Sequence, residues 1–85
     1  MADHDRTLQA IFEKPTRSDI AWRDIESLLR RLGATMKQGR GSRIRFVLNG
    51  VRAVFHKPHP QKEAPKALVR KAEEFLEQAG VHPDV

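Results

Sequence analysis

The chain has 85 residues, 39% of them apolar, which bounds it to one small domain with a thin core. It has no cysteine, which excludes a disulfide framework, a thiolate metal site and a cysteine nucleophile. No apolar run approaches the roughly 18 residues of a membrane-spanning helix, and the polar start MADHDRTLQ carries no secretory signal, so a cytoplasmic protein without a membrane partner is expected. The net charge of +5 is unevenly spread. Residues 36–71 hold ten Lys or Arg and one acid, Glu63, whereas residues 1–35 are balanced and residues 72–85 carry four acids and no Lys or Arg. Such a block points to a polyanionic partner, most often nucleic acid. The alternative is a small sheet that basic residues merely keep soluble.

Leu8, Ile11 and Phe12 fall at helical spacing and predict a short helix over Asp5–Lys14. Lys14-Pro15 stops it, because a residue before proline avoids helical dihedrals. A polar link follows to Asp19. Ile25, Leu28, Leu29 and Leu32 form one apolar stripe of an amphipathic helix that Trp22 opens, with Trp22 expected to pack in the core. Gly33 stands where a left-handed stop belongs.

The middle reads as strands. Ala34–Gln38 is a short one, and Gly39-Arg40-Gly41 is a flexible turn. Arg43–Leu48 and Val51–His56 alternate on either side of Asn49-Gly50, the pair that a type I′ turn favours because both of its central residues need positive φ. Closing the hairpin there pairs Leu48 with Val51, Phe46 with Ala53 and Ile44 with Phe55, all apolar, so the register is self-consistent. The opposite face follows from the same register: Val47 meets Arg52, Arg45 meets Val54 and Arg43 meets His56. One face is apolar and should be covered by helices; the other is basic and open.

A last amphipathic helix runs over Pro65–Ala79, with Leu68, Ala72, Phe75, Leu76 and Ala79 on one stripe. Gly80 stops it and Val81 packs back. The expected fold is α+β: a small αβββα unit with a three-stranded antiparallel sheet, helices on one face, and a short extra N-terminal helix. The expected layout is one domain, with helix and linker over residues 1–19, the core over 20–81 and a tail over 82–85.

This αβββα order is similar to the double-stranded-RNA-binding fold, and the run from LLRRLGATMKQGRGSR through HKPHP to ALVRKAEEFLEQAGV resembles the HicA family of bacterial toxins over about residues 22–81. No single piece is specific; their order and spacing are. The resemblance implies a small endoribonuclease of the mRNA interferase type, which belongs to a toxin–antitoxin system and is held in check by a HicB-like antitoxin. It implies no cofactor and no metal. One departure stands out. The family's motif is Gly-Ser-His, and its histidine is the catalytic residue; here GSR puts Arg43 in that place, so no catalytic histidine carries over to position 43.

The residues offer other groups for the same chemistry. Metal-free RNA cleavage uses the 2′-hydroxyl as nucleophile, with one group to take its proton, one to protonate the leaving oxygen and a cation for the phosphate. Histidine suits the proton work and arginine the phosphate. His56 lies across from Arg43 in the predicted register, and His59 follows in a loop stiffened by Pro58 and Pro60. These are the two candidate catalytic residues. Arg40, Ser42, Arg43, Arg45, Arg52, Lys57 and Lys62 are the candidate RNA-binding residues, with GRGSR as a glycine-rich phosphate cradle. A zinc site fits badly, since His56 and His59 give two ligands where at least three are wanted. His4 and His82 lie in polar ends and have no assigned role. There is no tyrosine and the phenylalanines belong to apolar stripes, so contacts should fall on phosphate and ribose, with weak sequence preference. Two further readings stay open: an RNA-binding module of the same fold that does not cut, and a protein-interaction domain whose basic sheet docks an acidic partner.

Overall fold

A computed structural model of the chain describes residues 3–58 and 62–83. Its elements are α1 (His4–Phe12), α2 (Trp22–Arg31), β1 (Thr35–Gln38), β2 (Arg43–Leu48), β3 (Val51–His56) and α3 (Lys66–Gln78). The strands form one antiparallel sheet in the order β1-β2-β3. The architecture is therefore α+β, an αβββα unit preceded by a helix, as expected.

Two glycine stops set the boundaries around the sheet. After α2, Gly33 (φ 98°) donates to Arg30 and Ala34 donates to Leu29; after α3, Gly80 (φ 81°) donates to Glu77 and Val81 to Leu76. Both are the paired bonds of a Schellman motif, which requires a left-handed residue that glycine supplies without strain. Asn49 (φ 51°) and Gly50 (φ 81°) have the two positive φ values of the expected type I′ turn. The register of β2 on β3 is the one read from the sequence, from Leu48 opposite Val51 to Arg43 opposite His56.

The apolar sheet face carries Ile44, Phe46, Leu48 and Phe55, all buried. Helices α2 and α3 cover it through an aromatic cluster centred on Phe55, whose ring lies 5.5 Å from Phe46, 5.8 Å from Phe75 and 5.9 Å from Trp22, centre to centre. Tilted and edge-on contacts of this kind add about 0.5–1.5 kcal/mol each beyond the area they bury. Trp22 is thus a core residue, 3% exposed.

Some details differ from the sequence reading. Helix α1 spans His4–Phe12 and not Asp5–Lys14, because Asp3 caps its start through a bond from the Arg6 amide and the Glu13 amide closes it on Ala10. It packs against α2 and α3, with Ile11 fully buried. Lys14 reaches Glu73 of α3 at 2.6 Å. Pro65 is the cap residue of α3, in an extended conformation, and not part of its first turn. The start of α2 has no side-chain cap. Instead the segment after β3 returns to it: the Trp22 amide donates to Lys62 and the Ala64 amide to Ile20, each at 2.8 Å. That bridge across Ala21 and Glu63 satisfies one of the orphan donors every helix start presents.

Candidate nucleic-acid interface

The open face of the sheet is built by strand alternation alone. Residues two apart on a strand share a face, about 7 Å from one another. Pairing then sets three rows across the sheet: Thr35, Val47 and Arg52; Lys37, Arg45 and Val54; and Arg43 with His56. No acid stands in any row. Arg43, Arg45, Arg52, Lys37 and His56 are all exposed.

The hydrogen-bond phase brings these side chains close. At one end of the hairpin the Lys57 amide donates to Ser42 at 2.8 Å, which makes Ser42 and Lys57 a hydrogen-bonded pair. Counting back, Arg43–His56, Arg45–Val54 and Val47–Arg52 are all non-hydrogen-bonded pairs. The turn at Asn49-Gly50 gives the same phase from the other end. In such pairs the side chains stand closest, with Cα atoms about 4.5 Å apart. Arg43 and His56 are therefore immediate neighbours on an open surface.

The turn between β1 and β2 adds Arg40 to these cations. The Gly39 amide donates to Arg43 at 2.8 Å and the Arg43 amide donates to Arg40 at 3.2 Å, so both Gly39 and Arg40 face Arg43. This is a bulge, with one residue more on the β1 side. Gly41 has φ 61° at the first central position of the turn, which a type II′ turn reserves for glycine. Beneath it lies a shallow concavity of about 280 Å³. Lys37, Arg40, Arg43, Arg45 and Val54 line it.

The ion pairs of the described residues lie elsewhere. Arg6, Lys14, Arg17 and Arg30 hold carboxylates on the helices and the linker. Arg17 spans Glu13 and Asp19, and its guanidinium holds the Asp19 carboxyl below the usual carboxylate range, chiefly through their hydrogen bonds. The sheet-face cations are paired with no carboxylate among the described residues. A face that holds like charges without counter-ions has the electrostatics of a site for a polyanion.

The candidate residues are only partly brought together. Arg40, Arg43, Arg45 and His56 share one end of the open face. Ser42 and Lys57 share that end by their backbones, but as the next pair along they fall out of phase with Arg43 and His56 in the alternation of faces. Arg52 is two rows away from Arg43, about 14 Å along the strand direction. Lys62 is held by its carbonyl against the start of α2, away from the strands. His59 lies outside the described residues. Lys37 escaped the sequence reading although it lies opposite Arg45; the bulge at Gly39 and Arg40 hides the β1 register from simple counting. His4 and His82 have structural contacts, His4 Nε2 with Ser27 Oγ at 2.8 Å and His82 edge-on to Phe12. The phenylalanines lie in the core or, for Phe12, half-buried against it, which leaves the open face without an aromatic platform.

Comparison with known proteins adds one finding. Residues 22–81 match the family described as the HicA toxin of bacterial toxin-antitoxin. No curated protein and no solved structure matches the chain. The matched stretch begins at Trp22, the first residue of α2, and ends at Val81, which closes the stop of α3. It takes in all three strands and the basic face they carry, so the αβββα unit as a whole belongs to the HicA family of toxins of bacterial toxin–antitoxin systems.

Proposed function

We propose that the chain binds messenger RNA on its open sheet face and cleaves it without metal, and that a HicB-like antitoxin covers this face to restrain it. The observation that carries the reading is the acid-free basic face on which Arg43 stands directly across from His56. In this reading Arg43 grips a phosphate with its bidentate fork, and Arg40, Arg45 and Lys37 hold the flanking backbone. His56 takes the proton from the 2′-hydroxyl. The 2′-oxygen bonds to phosphorus, and the 5′-oxygen leaves and takes up a proton. His59 is the candidate for that second proton. The imidazole needed for this chemistry has moved one strand across from the family's Gly-Ser-His position, which Arg43 fills. Arg52 extends the contact along the face and Ser42 and Lys57 adjoin it at the sheet end, whereas Lys62, held at the start of α2, stands apart from it.

The reading is tested by incubating an end-labelled, structured messenger RNA with the protein in excess chelator, beside folded His56→Ala and His59→Ala variants. Cleavage that one variant loses supports the proposal and names the histidine. Cleavage that survives in both rejects the histidine assignment. Binding without cleavage favours a module of the same fold that holds RNA and does not cut it, a second reading motivated by Arg43 in the histidine's place.

A further inference from the structure

β3 has one neighbour in the sheet, β2. The phase derived above turns the amides and carbonyls of residues 51, 53 and 55 towards β2. Those of Arg52, Val54 and His56 therefore point outwards. Among the described residues no backbone group pairs with them. A groove of about 620 Å³ runs along this edge, and its walls include Arg52 and Val54 on β3 and Ala67, Arg70, Lys71 and Glu74 on α3. The helix packs beneath β3 through Phe75 against Phe55, and Lys71 Nζ lies 5.9 Å from the centre of the Phe55 ring. A further strand, about 4.8 Å beyond β3, would rest on the exposed flank of α3.

We propose that this edge docks an extended acidic segment of the chain's protein partner, which joins the sheet as a fourth strand. An extended polypeptide matches the edge's donors and acceptors at their own repeat, whereas phosphate oxygens only accept and would leave the outward carbonyls unpaired. Charge selects the kind of segment. Arg52, Arg70 and Lys71 outnumber Glu74 in the groove. The same charges exclude a second copy of this chain: antiparallel pairing centred on Val54 would set Arg52 against His56 and bring both sets of groove cations together, which like-charge repulsion opposes. The inference rests on membership of a toxin–antitoxin family and not on RNA cleavage.

The full chain, labelled with ¹⁵N, is titrated with a blocked nonapeptide of alternating glutamate and valine, and with a control in which lysine replaces glutamate. The expected result is that the amides of Arg52, Val54 and His56 exchange about ten-fold or more slowly with solvent when the acidic peptide is bound. The lysine peptide is expected to leave them unchanged. Val54→Pro removes an outward amide that bonds to no other strand, a position where an edge tolerates proline; it should leave the spectrum of a folded protein and abolish the protection. Should that variant unfold, the acidic peptide N-methylated at alternate residues asks the same question of the natural chain and should not bind. Arg70→Glu with Lys71→Glu should weaken binding by about ten-fold or more. The proposal is overturned if the acidic peptide fails to bind at millimolar concentration, if it perturbs only Lys37, Arg43 and Arg45, or if folded Val54→Pro binds undiminished. RNA binding by the same sample is read separately, so loss of either result leaves the other standing.

Discussion

The side-chain amide of Asn49 donates to the main-chain carbonyl of Ala79 at 2.8 Å and ties the β2–β3 turn to the end of α3. One residue thus has two tasks: its positive φ makes the turn, and its amide satisfies a helix-end carbonyl. Asn49→Gly keeps the turn and removes the bond, so it should cost about 1 kcal/mol in urea unfolding. Asn49→Asp should cost more than Asn49→Gly at neutral pH, because a carboxylate cannot donate and sits at the negative end of the helix dipole. Equal stability of Asn49→Gly and the parent would show that the bond contributes nothing.

Helix α1 lies outside the stretch that matches the family, yet Ile11 is fully buried against the rest of the protein. Ile11→Ala should therefore destabilise the whole protein, by about 2–5 kcal/mol, through lost burial and the cavity left behind. Thermal unfolding should show one cooperative transition at lower temperature. A transition unchanged from the parent's would mean that α1 is a detachable appendage.

The four cations around the turn concavity should act on RNA as phosphate ligands. Lys37→Ala and Arg45→Ala should weaken binding to unrelated RNA sequences alike, and each should flatten the dependence of log K on log salt by about 0.7 for single strands. A change in sequence preference without a change in salt slope would mark either residue as a base reader.

Arg43→Lys separates charge from geometry. Lysine keeps the charge but lacks the planar fork that holds a phosphate in two bonds. RNA affinity should change less than two-fold or so, while cleavage falls by about ten-fold or more. Equal cleavage by the two proteins would reduce Arg43 to a point charge.

Arg17 and Asp19 make a small acid-sensitive clasp in the linker. The folded protein holds the Asp19 carboxyl below its ordinary range. Stability from this pair is present above the unfolded carboxylate pKa of about 3.9 and is lost as pH falls through the lower folded value. Asp19→Asn should therefore be less stable than the parent at pH 6, with the difference shrinking towards pH 2. A difference that persists unchanged at pH 2 would show that the pair's charge is not its source.

The sheet was legible in the sequence because Asn49-Gly50 pins a register in which Ile44, Phe46 and Leu48 each meet an apolar residue on one face. Once that was fixed, Arg43 across from His56 followed by alternation. The helices were legible through their stripes and through Gly33 and Gly80. What escaped depends on contacts distant in the chain. Nothing near Trp22 announces that Lys62 returns to meet the start of α2, and nothing near Asn49 names Ala79. Lys37 was hidden for a local reason, since a bulge breaks the counting between β1 and β2. Of the candidate RNA contacts after β3, Lys57 stays at the sheet end while Lys62 is anchored by the start of α2.

The lack of any acid among the cations of the open sheet face has a kinetic consequence. At physiological ionic strength a charge is felt over about 8 Å, whereas the molecule is 24 Å across even at its thinnest. A polyanion drifting up beside α1 and the linker meets Arg6, Lys14 and Arg17 already held by carboxylates, and feels little of the sheet behind them. One drifting up to the sheet meets an unscreened field and is drawn in. The field thus favours encounter at the acid-free sheet face over encounter at α1.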